Sequence, residues 1–211
     1  VRQGTKHKIM DSAERLFAER GFSDTSLRLI TSHAEVNLAS VNYHFGSKKE
    51  LIQAVLMRYL EAFMPQLDRA MQAHLDSEQA PSLDDIFNAF VEPLLSMNEQ
   101  RKHGTSLFLL LLGRGYTDSQ GHLRKFITHH FGEVLDRFQA AVRRAYPQLT
   151  EAEMFWRLHF TLGTVVFTMA SSAALRDIAN ADFNEQVNVE TLIRKVIPYL
   201  AAGVGAPIQQ Q

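Results

Sequence analysis

The sequence predicts an all-α protein in which a compact N-terminal helix-turn-helix is followed by a longer helical body. Three observations lead there. All strong periodicity is helical, as where Ile9, Ala13, Leu16 and Phe17 fall at i, i+4, i+7 and i+8. Only six prolines interrupt 211 residues. Three short helical segments and the start of a long one crowd into the first fifty residues, the arithmetic of a helix-turn-helix.

The first helix is expected to stop at Gly21, in the left-handed position after its C-terminus, with Phe22 meeting Phe17. The second spans about 26–33, with Thr25 as N-cap and Leu27 and Ile30 facing inward. Ala34-Glu35-Val36-Asn37 forms the joint, with Val36 plugging the angle between helices. Asn37 caps a third helix over about Leu38–His44. Ser47, with Glu50 three residues on, makes a capping box for the fourth. Pro65 is expected to end or kink that helix and start the next, which reaches about Leu75. Ser77–Ser82 reads as a loop, and later helices are placed at about 83–97, 104–115, 120–145, 151–178 and 189–204.

Composition narrows the function. Hydrophobic residues make up 45% and charged residues 21%, enough for a sizeable core. The absence of cysteine excludes disulfides, thiolate metal sites and thiol redox sensing, and fits a reducing compartment. With no apolar signal core and no run near eighteen apolar residues, the chain is expected to be soluble and cytoplasmic, without a membrane partner. Residues 1–50 hold eight Lys/Arg against six Asp/Glu, whereas the remainder holds fourteen against seventeen. The positive excess therefore sits in the head.

The outward face of the third helix is crowded with hydrogen-bonding groups: Asn37, Ser40, Asn42, Tyr43 and His44. A helix of this size fits the major groove, where Asn pairs with adenine and Arg with guanine. Lys48 and Lys49 occupy the first turn of the fourth helix, where cations oppose the helix dipole and lose roughly 0.3–1 kcal/mol each. That placement suits an anion, and a DNA phosphate is one that meets both the lysines and the free backbone N–H groups.

The stretch from Ala13-Glu14-Arg15-Leu16-Phe17 through Gly21-Phe22, Thr25-Ser26-Leu27, Ile30 and Val36-Asn37-Leu38-Ala39-Ser40-Val41-Asn42-Tyr43-His44-Phe45-Gly46-Ser47-Lys48 to Leu51 closely resembles the head of the TetR family of transcriptional regulators. The resemblance implies a domain over residues 1–50 that binds a double-stranded DNA operator, and an effector-binding and dimerisation domain over residues 51–211. It places Arg28, Asn37, Ala39, Ser40 and Tyr43 near base edges and gives Asn42, His44 and Lys48 phosphate roles. Three positions depart from the family: Thr31 stands for its usual Ala, Asn42-Tyr43 for its usual Tyr-His pair, and Glu35 for the turn Gly. If the turn needs φ > 0 there, Glu35 costs on the order of 1 kcal/mol.

The body is dense in Phe and Leu, most of it core. A small-molecule pocket is sought where polar groups are stranded on apolar faces. The candidates are Arg114, Arg124, Trp156, Arg157 and His159, with Phe108, Leu112 and Phe160 as apolar lining. The segments 119–126 and 155–163, with Val41–Lys49 of the head, resemble the fatty-acid-responsive, PsrA-type branch of the same family. That resemblance implies a long-chain fatty acid or acyl-CoA as effector and lipid-metabolism genes as targets. The last two helices are the expected homodimer face, through Leu158, Leu162, Val166, Met169, Val196 and Leu200.

The same residues bear on other functions. Asp84-Asp85 at a helix start are simple dipole partners, and adjacent His129-His130 point apart on a helix. No GxSxG, P-loop, HExxH or dinucleotide fingerprint occurs, so neither an enzyme nor a cofactor is expected. A regulator responding to a drug-like molecule, or to a metal through His122, His129 or His130, remains an alternative, as does a helical interaction module that never touches DNA.

Overall fold

The computed structural model describes residues 4–117 and 121–208. Ser119 and Gln120, which open one of the resemblance segments, and the Gln209–Gln211 tail lie outside the described residues. The described chain is helical throughout, without strands. It divides into two compact units. The first takes in the chain up to Ala62 together with Ser106–His130, and the second comprises Phe63–Thr105 and Phe131–Gln211.

In the first unit, α1 (Thr5–Arg20) packs on α2 (Leu27–Ala34) and α3 (Leu38–Phe45). Ile9, Ala13, Phe17, Phe22, Ile30 and Val41 are fully buried there, which is the inward face that the helical spacing predicts. Gly21 does take a positive φ of 88°, but its ψ of 168° is extended rather than left-handed helical. Its N–H still reaches the Phe17 carbonyl at 2.9 Å, and Phe17 and Phe22 meet edge-on with ring centroids 5.1 Å apart.

The cap of α2 is corrected. Ser26, not Thr25, accepts from the Leu29 N–H. The Thr25 hydroxyl is buried and turned back to the carbonyls of Leu16 (3.1 Å) and Gly21 (2.8 Å), so it closes the α1–α2 loop. Leu27, expected to face inward, is only half-buried.

The long α4 (Lys48–Asp76) runs on through Pro65, which neither ends nor restarts it. Pro65 is exposed, and the carbonyl it leaves without a donor belongs to exposed Glu61, where water can serve instead. The Ser47 hydroxyl accepts from the Glu50 N–H at 3.3 Å, one half of the expected capping box.

In the second unit the expected 83–97 helix is three pieces: α5 (Leu83–Asn88), α6 (Val91–Leu95) and α7 (Met97–Gln100). Pro93 explains the first break. It has no N–H to offer the Ala89 carbonyl, so the helix restarts with Pro93 in its first turn, where that N–H is not needed. Next in the chain, α8 (Gly104–Thr117) belongs almost wholly to the first unit, and α9 (Gly121–Ala145), broken at Phe131, begins in the first unit and ends in the second. The expected 151–178 helix is also two: α10 (Glu151–Ala170) and α11 (Ser172–Phe183) meet at Ser171 with a bend of 70°. Finally α12 (Val189–Val204), capped by Asn188, packs against α5, α6 and α10.

Two arginines collect the free carbonyls at helix C-termini of this unit. Arg144 of α9 donates to His74 (2.9 Å), Leu75 (2.6 Å) and Ser77 beyond α4. Arg157 of α10 donates to Val204 (2.7 Å) and Ala206 (2.5 Å) at the end of α12.

Candidate nucleic-acid interface

The joint between α2 and α3 is built by backbone hydrogen bonds. Val36 N–H reaches the Thr31 carbonyl at 3.0 Å and Glu35 N–H reaches that of Ser32 at 3.3 Å, the paired bonds of a Schellman cap. Such a cap demands a left-handed residue, and Glu35 adopts φ 54°, ψ 46°. Asn37 then caps α3, its Oδ1 accepting from Ala39 N–H at 2.9 Å. That leaves the Asn37 amide NH₂ as a donor facing outward from an exposed residue.

Buried Val41 anchors α3 from beneath. Ala39 and Tyr43, four residues apart, share the middle of the opposite face, and Tyr43 is 85% exposed. Asn42 is exposed beside them, while Ser40 and His44 sit half-buried at the flanks. Tyr43 and His44 pack edge-on at 5.0 Å, which orients the phenol ring. Arg28 is exposed in the first turn of α2. Lys48 is half-buried and its ammonium donates to the Ser23 carbonyl at 3.4 Å, so it stands over the α1–α2 loop at the N-terminus of α4. All eight residues expected at the DNA surface therefore fall on α2, α3 and the α4 start within one compact unit.

A second tier holds these helices. Arg58 of α4 donates to Asp11 and Glu14 of α1, both at 2.8 Å, and Glu14 is only 4% exposed. The Arg15 guanidinium meets His33 Nε2, so Nδ1–H of His33 donates to Ser12 at 3.1 Å and ties α2 to α1. Sequence reasoning missed Arg58 and Thr25 as supports. An i,i+3 acid pair, Asp11 and Glu14, sharing one side of α1 was the available signal for a cation. In the same unit burial, with the Lys49 charge as a lesser cause, holds the His122 imidazole below its ordinary range, and its buried Nε2 meets no hydrogen-bond partner among the described residues.

The residues expected to line a pocket are placed in both units. In the first, Phe108 is buried and stacked on Tyr59 at 5.6 Å, Leu112 is half-buried and Arg124 is exposed. In the second, Arg157 is committed to the α12 terminus and, at 3.0 Å, to Glu153. His159 bonds the Phe155 carbonyl on an exposed surface, and Trp156 and Phe160 are 56% and 65% exposed. An open groove of about 550 Å³ near Arg176, Asn180 and Asn188 contains none of these residues.

Of the expected dimer residues, Met169 and Leu200 are buried within their own unit, and Leu158, Leu162, Val166 and Val196 are half-buried. The exposed apolar stripe of α10 is instead Trp156, Phe160, Gly163 and Phe167, roughly 130° round the helix from the expected one. On α12 Tyr199 is 67% exposed, beside exposed Ala202 and Gly203.

The family described as bacterial regulatory proteins, tetR family, matches residues 9–55, and that described as tetracyclin repressor-like, C-terminal domain, matches residues 88–203. A probable HTH-type transcriptional regulator, YttP of Bacillus subtilis, is 37% identical over 70 residues, 33% of this chain and 34% of that protein. The chain thus spans about a third of the length of this curated relative. Among solved structures, a SmeT–triclosan complex is similar over 97% of this chain and 91% of that one, with a TM-score of 0.58 and 21% identity. The fatty acid degradation regulator FadR of Bacillus halodurans is similar over 98% of each chain, with a TM-score of 0.55 and 12% identity.

Proposed function

This chain belongs to the TetR family of transcriptional regulators, and from that premise we propose that it works as a homodimeric repressor released from a palindromic operator by a small hydrophobic effector. DNA contacts are assigned to residues 1–50, with Arg28, Asn37, Ala39, Ser40 and Tyr43 toward base edges and Asn42, His44 and Lys48 toward phosphates. Residues 51–211 take effector binding and dimerisation. The observation that carries the DNA reading is the exposed face of α3, where Tyr43 projects and Asn37 retains free donors. The dimer face is assigned to the α10 stripe of Trp156, Phe160 and Phe167 with Tyr199 of α12, since these aromatics are left in water by their own unit.

The effector proposed is a long-chain fatty acid or its acyl-CoA, controlling lipid-metabolism genes. It is supported by the sequence resemblance carried by 119–126, 155–163 and 41–49. Of the two cations considered for the acid group, Arg124 is the exposed one, whereas Arg157 already holds the α12 terminus. One similar structure is of a fatty acid degradation regulator and another is of a complex with triclosan, so a drug-like effector is the second reading.

The test is operator release titrated with acids or acyl-CoAs of increasing length. Burial contributes roughly 0.8 kcal/mol per CH₂, so potency should climb steeply with chain length. Release that is flat across lengths, while triclosan-like molecules act, overturns the lipid and favours the drug reading. DNA binding without steep salt dependence would overturn the operator reading itself.

A further inference from the structure

Between residues 25 and 49 the sequence holds a single carboxylate, Glu35, in the company of Arg28, Lys48 and Lys49. It occupies the place in the helix-turn-helix least suited to it. The paired bonds from Glu35 and Val36 to Ser32 and Thr31 require a left-handed residue, and glycine takes that conformation freely whereas a glutamate Cβ crowds the backbone. The fold makes no visible use of the side chain in return. Glu35 is exposed, and among the described residues its carboxylate enters no hydrogen bond or ion pair. Strain of this kind persists where the conformation or the side chain serves a site.

Its position says which site. Glu35 stands two residues before Asn37, the cap of α3, and a recognition helix leads into the major groove with its N-terminal end. A carboxylate there is repelled by phosphates, so it is tolerated only if it finds a donor. The major groove offers one that suits an acceptor-only group, the N4 amino group of cytosine.

We infer that Glu35 is a specificity-determining residue: its carboxylate accepts a hydrogen bond from a cytosine in each operator half-site, beside the bases met by the start of α3. This rests on the DNA-binding reading above. Within that reading it adds a base requirement that the polar face of α3 alone would not impose.

The experiment is selection from a random DNA pool with the full-length protein and two variants, Glu35→Gln and Glu35→Gly. Glutamine keeps the length and the strained backbone but loses the charge, and its amide suits adenine. Glycine removes both strain and side chain. The wild type should enrich a palindrome with a fixed cytosine near one flank of each half-site. In Glu35→Gln that preference should fall by about five- to hundredfold, with adenine gaining, and in Glu35→Gly the position should become indifferent. All other positions should keep their preferences. If the three proteins return the same base frequencies and differ only in overall affinity, Glu35 is a bare repelling charge and the inference is overturned. If the wild type enriches no sequence, the DNA-binding reading fails and takes this inference with it.

Discussion

The water-facing residues of α3 include Asn42 and Tyr43, with Leu38, Ala39 and the cap residue Asn37 beside them, whereas those of α10 include the apolar stripe of Trp156, Phe160, Gly163 and Phe167. Both faces are exposed, yet their standing in water is opposite. The amide and phenol groups of α3 are well solvated, so that face can be empty or filled at little expense. A Phe or Trp left in water forfeits about 1.5–3 kcal/mol that burial would return. The first face suits a partner that comes and goes and is itself wet. The second suits one that stays, which is what separates a regulated DNA contact from an obligate subunit contact.

The contrast can be broken in order of expected effect. Phe160→Glu should give a folded monomer by ultracentrifugation and weaken operator binding more than a hundredfold, because each half-site is then held singly. Leu162→Glu, two residues on, should instead lower thermal stability, since Leu162 is half-buried in its own unit. If both variants stay dimeric and active, the permanent partner sits elsewhere.

Next in size is Arg58→Ala. It takes the Arg58 cation from buried Glu14, and breaking a buried pair typically costs about 3–5 kcal/mol, read as a lower denaturant midpoint. Adding Glu14→Gln should recover part of the loss. No recovery would mean that Arg58 acts by packing alone.

Tyr43→Ala should leave dimerisation intact and relax sequence preference at one position per half-site by about five- to hundredfold. Lys48→Ala should weaken specific and random DNA alike and flatten the salt slope by about one unit. Equal loss on every sequence for Tyr43→Ala would exchange the two roles.

The smallest effect concerns His122. Burial holds its imidazole below the ordinary value of 6.5, so the unfolded chain takes up the proton first as pH falls. Stability should therefore decline as pH drops below about 6.5, and levels off once the folded state is protonated as well. His122→Phe should remove that portion of the decline. An unchanged pH profile in that variant would assign the acid sensitivity to other groups.

What was readable in advance divides along similar lines. The Asn37 cap and the buried spacing of α1 are set locally and each stands where the pattern put it, whereas the left-handed turn at Glu35 was suggested only by the family's glycine at that place. Thr25 and Ser26 are both good capping residues, and only the tertiary pull of the Leu16 and Gly21 carbonyls decides between them. Apolar residues wrap most of α10, from Phe155 and Trp156 to Leu158, Phe160 and Leu162, so periodicity there does not single out the face that the rest of the fold leaves open. The break at Ser171 carries neither Gly nor Pro, and no local signal announces it.

The Arg58 fork has a consequence for anyone who would transplant this head onto another regulator. A cut at residue 50 would keep every side chain assigned to DNA, yet it would take Arg58 from the buried Glu14 carboxylate and discard Leu51 and Val55, both fully buried. The transplantable piece therefore ends inside α4, beyond Arg58, in the middle of a helix rather than at a loop. A chimera joined there must splice one helix into another in register, turn for turn, so the compatibility of two such proteins as building parts is decided by helical phase at the junction.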